Sequence, residues 1–226
     1  MEQEKQILRE LAFRYAEAAR HPSHDQKRTL YRASNDLSPI RPIVLIREVP
    51  WNELETHPDL VLRCTDPDYR EAEQYFRRHL FQWKYFPADM VLDPYYGVSK
   101  IIESTGFGLT IQETTLGDLN SIHSHAYHNQ LDSEEALEKL HFEKITYWKE
   151  ETFALYHKMA DAIGDILPVK ITGAPTGYGI GCRNWDIATE LIGPENVFYQ
   201  LADEPELMHK IAEKLTDIFL DKVRQY

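Results

Sequence analysis

Pro168-Val169-Lys170-Ile171-Thr172-Gly173-Ala174-Pro175-Thr176-Gly177 is the stretch whose reading decides the fold. Val169 and Ile171 are β-branched and apolar, and the run ends abruptly in glycine and proline, so it reads as a short buried strand. Before it, Tyr147 to Ile166 has helical spacing. After it, Trp185 to Ile192, Val197 to Leu201 and Glu204 to Tyr226 are helical in composition. A short buried strand set between helices predicts an α/β protein with parallel pairing.

Working outward, two more runs have the same character: Pro42-Ile43-Val44-Leu45-Ile46 and Ala88-Asp89-Met90-Val91-Leu92. Each reads as a strand buried on both faces. Between them, Pro67 to Phe86 places Tyr69, Ala72, Tyr75, Phe76, Leu80 and Trp83 on one helical stripe, with Asp68 and Glu71 near its positive end and Pro87 closing it. Ile7 to Arg20 and Asp25 to Asn35 are helices preceding the first strand. Gly106 to Gln130 alternates like a hairpin, with Leu116-Gly117-Asp118 as its turn, and Asp132 to Leu140 reads as a short capped helix. Without a repeat or a low-complexity linker, residues 1–226 are expected to form a single domain, with 1–40 as a helical extension.

A closed parallel barrel has eight strands and about 250 residues. Three strands leave an open edge, which invites association with a second copy or a complementary chain. The last helix carries an apolar stripe from Leu207 to Val223 with no glycine, asparagine or proline after it. The expectation is therefore a chain that stops before the barrel closes.

Composition excludes several classes. Hydrophobic residues make up 42%, including 13 tyrosines and 9 phenylalanines, enough to pack a core. The net charge of −12 offers no basic stripe to displace counterions from nucleic acid. No apolar run approaches the roughly 20 residues that span a bilayer. The start, Met1-Glu2-Gln3-Glu4-Lys5, has no signal-peptide pattern, and Cys64 and Cys182 lie far apart. A cytoplasmic protein with a small-molecule substrate, and without nucleic-acid or membrane partners, is expected.

Two blocks resemble the uroporphyrinogen decarboxylase superfamily, which includes the corrinoid-dependent methyltransferases. Val169-Lys170-Ile171-Thr172-Gly173-Ala174-Pro175-Thr176 is similar to the family strand ending in a Gly-x-Pro turn. Asp203-Glu204-Pro205-Glu206-Leu207-Met208-His209-Lys210 is similar to its D-x-P-E-L-x-H-x helix start. More loosely, Arg41-Pro42-Ile43-Val44-Leu45-Ile46-Arg47 resembles its first strand. The resemblance implies the N-terminal portion of a (β/α)8 TIM barrel, with extra N-terminal helices and an inserted β-hairpin. The decarboxylase's pair of arginines four apart is not kept: Arg47 matches the first, but Trp51 stands at the second, and Glu48 adds a negative charge. A polycarboxylate substrate is therefore not expected. For the methyltransferase branch, the resemblance implies a zinc site of His-x-Cys plus a distant Cys, and a corrinoid protein as partner. This sequence contains no His-x-Cys, and the family carries that motif in its other half.

Barrel enzymes place their chemistry after the C-terminal ends of strands. That rule selects Arg47, Glu48 and Trp51 after the first predicted strand, Asp93, Tyr95 and Tyr96 after the second, and Gly173 to Tyr178 after the third. Glu48 and Arg47 are either a general base and an anion grip or charges paired with other loops. Trp51 either stacks on a flat ring or covers the barrel mouth. The resemblance places a catalytic aspartate near Asp93, or at Tyr95 if the alignment slips by two residues. Asp-Pro also starts turns for local reasons. The run from Gly173 to Gly181 lacks the Gly-Lys-Ser/Thr of a P-loop and the G-x-G-x-x-G of a dinucleotide site. It reads either as a structural turn or as backbone opened for close ligand approach. His123 and His125 share one strand face and are candidate substrate contacts or metal ligands, with Glu113 as a helper on the neighbouring strand.

Overall fold

The computed structural model describes residues 2–119, 122–173 and 183–226, with backbone alone at 116–119 and 122–123. The chain mixes helices with few, short strands, and it divides into two compact units. One comprises Met1–Ser99 with Glu150–Thr172, the other Lys100–Lys149 with Gly173–Tyr226.

The first unit is built on α1 (Glu2–Ala19), α2 (Ser23–Asn35), α3 (Trp51–Leu54), α4 (Pro67–Tyr85) and α6 (Lys149–Ile163), with strands β1 (Tyr96–Val98) and β6 (Val169–Ile171). Leu8, Leu11, Ala12, Tyr15, Ala16 and Ala19 recur every three or four residues along α1 and are all buried. They meet Tyr69, Ala72 and Phe76 of α4, Val98 of β1, and Met159, Ala162 and Ile163 of α6 in one core. Asp66 caps α4 by accepting hydrogen bonds from the Asp68 and Tyr69 amides, with Pro67 preset at the first helical position. Lys158 of α6 grips Asp66 and Asp68 at 2.7 and 2.6 Å. Arg9 of α1 makes a two-pronged bond to Asp165 just beyond α6.

β1 and β6 pair in parallel, Tyr96 opposite Val169, Gly97 opposite Lys170 and Val98 opposite Ile171. Parallel strands need a long crossover, and here it contains α6 (Lys149–Ile163). Glycine at 97 is dictated by space: a Cβ there would lie 2.8 Å from the Thr172 Cγ2, in a side chain whose hydroxyl donates to the Val98 carbonyl.

The second unit contains β2 (Ile102–Ser104), β3 (Glu113–Leu119), β4 (Ile122–Tyr127), α5 (Glu134–Leu137), β5 (Ile145–Tyr147), α7 (Asn184–Ile192), α8 (Pro194–Asp203) and α9 (Pro205–Gln225). β2 and β5 pair antiparallel, as do β3 and β4. Leu191 and Ile192 of α7, Val197 of α8 and Leu207, Met208, Ile211, Leu215 and Ile218 of α9 close over Leu131, Ala136 and Leu140. Ser133 caps α5, and Gly193, at φ 89°, turns the chain between α7 and α8. In the Asp203 to Lys210 block, α8 ends at Asp203 and Pro205 opens α9.

Several expectations are corrected. The run from Pro42 to Ile46 is not a buried strand: it belongs to no strand, and Val44, Leu45 and Ile46 are exposed by 55, 42 and 38%. Local chemistry defeats it. The Asp89 carboxylate takes the Val44 N–H at 2.9 Å and both guanidinium prongs of Arg41, where a ladder would need backbone acceptors. Arg41 and that amide hold the Asp89 carboxyl well below the usual carboxylate range. Ala88 to Leu92 is likewise irregular, with Ala88 at φ 38°, although Met90 and Leu92 are buried as expected. The strand in this region is Tyr96–Val98, later than predicted. Leu116-Gly117-Asp118 is not the hairpin turn either. β3 runs on to Leu119, and a register shift between Leu116 and Leu119 absorbs the irregularity. Among the described residues the only parallel pair is β1–β6, so three parallel strands are reduced to two.

Candidate functional site

The late start of β1 changes the meaning of the residues expected beside the second strand. Asp93 and Tyr95 precede β1, at the N-terminal end of the parallel pair, and Tyr96 is its first residue. Tyr96 is 8% exposed, and its ring meets Tyr75 at 5.3 Å and Phe76 at 5.4 Å. Burial raises its hydroxyl pKa.

Asp93 is exposed and accepts a hydrogen bond from the Tyr95 phenol, and the Asp93 charge raises the Tyr95 pKa. Arg28 of α2 reaches Asp93 at 3.9 Å while donating to the Leu92 carbonyl, and the Lys170 ammonium stands 4.4 Å over the Tyr95 ring. Behind them Tyr15 and Tyr75 share a hydroxyl contact of 3.1 Å, and burial raises both phenols. His79 donates from Nδ1 to the Tyr75 carbonyl when neutral, and burial lowers its pKa, which keeps it neutral. This cluster has the groups for proton transfer, a carboxylate bonded to a phenol. It sits, however, at the strand end where barrels keep stabilising contacts, not where they keep chemistry. Sequence reasoning missed Arg28 and Lys170, because neither lies near Asp93 along the chain.

The C-terminal end of the pair is occupied by Ser99 and by Thr172, whose N–H donates to the Val98 carbonyl at 2.8 Å. β6 leads directly into the glycine-rich run. Gly173 is exposed, accepts from the Lys100 amide at 3.1 Å, and has no atom of the described residues within 4 Å of where a Cβ would be. Residues 174–182, including Tyr178 and Cys182, lie outside the described residues.

Arg47 and Glu48 are exposed on the extended segment before α3. Arg47 influences Tyr31 electrostatically, and Glu48 makes no ion pair among the described residues. The fold does not bring them to Asp93. Trp51 opens α3, with its ring 6.1 Å from Phe81 and the Arg78 guanidinium 5.1 Å over its face.

In the hairpin, His125 bonds to Glu113 at 2.8 Å and stacks on Tyr127 with ring centroids 5.9 Å apart, so the helper expected on the neighbouring strand is its partner. His128 shares a hydrogen bond with Thr114 at 2.9 Å. The side chain of His123 is outside the described residues. No group of three or more His, Cys, Asp or Glu side chains among the described residues could hold a metal ion. Cys64 is fully buried, and burial next to Glu73 pushes its thiol up to about 12, so it is no thiolate donor. Zinc therefore does not fit the described residues. Among them, no helix is long and apolar enough to cross a membrane.

Comparisons with protein-family models, with curated proteins and with solved structures find no match to this chain.

Proposed function

We propose that this chain is the N-terminal portion of a uroporphyrinogen decarboxylase-like (β/α)8 barrel, and that the complete cytoplasmic enzyme transfers a methyl group from a methylated small molecule to a corrinoid carried by a partner protein. The observation that carries the reading is the origin of the glycine-rich run at the C-terminal end of a parallel strand, the edge on which barrel enzymes build their pockets. The resemblance of Val169 to Thr176 and of Asp203 to Lys210 supplies the family. Trp51 in place of a second arginine favours a donor without several carboxylates. The corrinoid enters as the methyl acceptor on its own protein. Gly173 has no side chain and no neighbour among the described residues where one would lie, which supports close approach of a flat or bulky group. The zinc ligands of the nearest methyltransferase branch have no counterpart among the described residues, so no step is assigned to a metal.

Decarboxylation of a non-porphyrin acid is the competing reading, with Asp93 as its catalytic group. The position of Asp93 before β1, paired with Arg28 and Tyr95, favours methyl transfer. Replacing Asp93 by Asn in the natural full-length chain separates the two readings. Under methyl transfer, cob(I)alamin added to the assay takes the methyl group from a panel of methylated amines and ethers, releasing the protonated amine or alcohol, and methylcobalamin formation by Asp93→Asn stays within about threefold of wild type. A fall of about 10²-fold or more, the usual weight of a general acid or base, together with carbon dioxide release from a carboxylic acid, favours the decarboxylase instead.

A further inference from the structure

Beside α3 the first unit holds a cleft of about 360 Å³, lined in part by Trp51. One wall is a face of α4: Arg70, Gln74, Arg77 and Arg78 fall at i, i+4, i+7 and i+8 and line it together. The other wall is apolar, made by Trp51, Leu60, Val61 and Leu62.

The arginines are not equivalent. Arg77 is committed to the protein, donating to Glu73 at 2.7 Å and to the Asp59 carbonyl at 3.1 Å. Arg70 spends one donor on the Cys64 carbonyl. Arg78 lies over the Trp51 ring and has no carboxylate within ion-pairing distance among the described residues. Glu55 is exposed at the rim and makes no ion pair among the described residues. Among the described residues neither Arg70 nor Arg78 has a carboxylate partner, so two such guanidinium groups face one small cavity, in a chain whose net charge is −12. A planar guanidinium presents paired donors that match a carboxylate, and stacking on Trp51 holds one of them in place.

We infer that this cleft binds a small carboxylic acid with a short apolar body, of the size of a single aromatic ring, its carboxylate on Arg70 and Arg78 and its body against Trp51 and Leu60. The cavity volume sits at the low end for small-molecule sites, and the apolar wall favours an organic acid over a bare inorganic anion. The inference does not depend on the methyl-transfer reading.

Benzoate and inorganic phosphate are the probes, followed by tryptophan fluorescence and by heteronuclear NMR of the arginine side chains. Benzoate is expected to saturate with a Kd of about 1 mM, a free energy of about −4 kcal/mol, and to shift the Arg70 and Arg78 resonances. R78Q and R70Q should each weaken it about tenfold, and W51L should weaken benzoate while leaving phosphate unchanged. Circular dichroism of each variant reads the fold independently. Absence of saturation by about 50 mM benzoate, equal binding by R78Q, or binding of phosphate in preference to benzoate would each overturn the inference.

Discussion

Replacing Glu73 with alanine should cost about 3–5 kcal/mol of stability, the range seen when one member of a buried ion pair is removed. Glu73 has no exposed surface. One carboxylate oxygen accepts the amides of Arg63 and Cys64 at 2.8 and 2.7 Å, and the other accepts Arg77 Nε at 2.7 Å. The alanine variant would leave a buried guanidinium uncompensated and two amides without their acceptor. Burial opposes ionisation of Glu73, yet the two amides and Arg77 hold its carboxyl below its ordinary value. The sign follows. The depressed value means that Glu73 stabilises the fold above the unfolded carboxyl's pKa of about 4.3, and that this contribution fades as pH falls through the folded value. Urea denaturation at neutral pH and at pH below about 4 checks both points. The wild type should lose more stability on acidification than E73A does. A neutral-pH difference below about 1 kcal/mol, the scale of an ordinary surface pair, would show that the network is incidental.

Phe76→Ala should cost a comparable amount, about 3–5 kcal/mol. The ring is fully buried and meets Tyr15 at 5.4 Å, Tyr75 at 5.5 Å and Tyr96 at 5.4 Å. Removing it opens a cavity between α1, α4 and β1 and discards two edge-to-face contacts, to Tyr15 and Tyr75, each worth about 0.5–1.5 kcal/mol beyond burial. Tyr96→Phe makes the informative contrast. A core role for Tyr96 predicts a loss of less than about 1.5 kcal/mol, since volume is conserved. Denaturant midpoints for the two variants settle the comparison, and a near-neutral F76A would mean that the aromatic cluster is not the core of the first unit.

These two residues also show how sequence and structure relate. Tyr69, Ala72, Tyr75 and Phe76 were legible as a helix face because burial on a helix imposes a 3.6-residue period. Val169 to Ile171 was legible as a strand because its flanking glycine and proline allow nothing longer. Pro42 to Ile46 and Ala88 to Leu92 both have strand-like apolar composition, but the Asp89 carboxylate takes the Val44 amide that a ladder would need, and in the second run Ala88 stands at φ 38° with the Met90 amide turned back onto the Pro87 carbonyl. A side chain competing for one amide is invisible to periodicity. Tyr96 was then misplaced as a loop residue because the strand was expected to precede it. Trp51 stands out in the sequence as an aromatic after the first predicted strand, but its partner Arg78 lies on a different helix, and only the fold sets one over the other. The spacing of Arg70, Gln74 and Arg78 was available as a signal, one residue per helical turn.

The central claim is that the complete protein works with a corrinoid, and titration of the natural full-length chain with methylcobalamin and with cobalamin tests it most directly. Visible absorbance reports the environment of the corrinoid, and equilibrium dialysis reports its binding. The account predicts saturable binding of one form below about 1 mM, with a spectral shift that a variant carrying alanine in place of Gly173 reduces. No binding of either form at millimolar concentration, by both absorbance and dialysis, would contradict it.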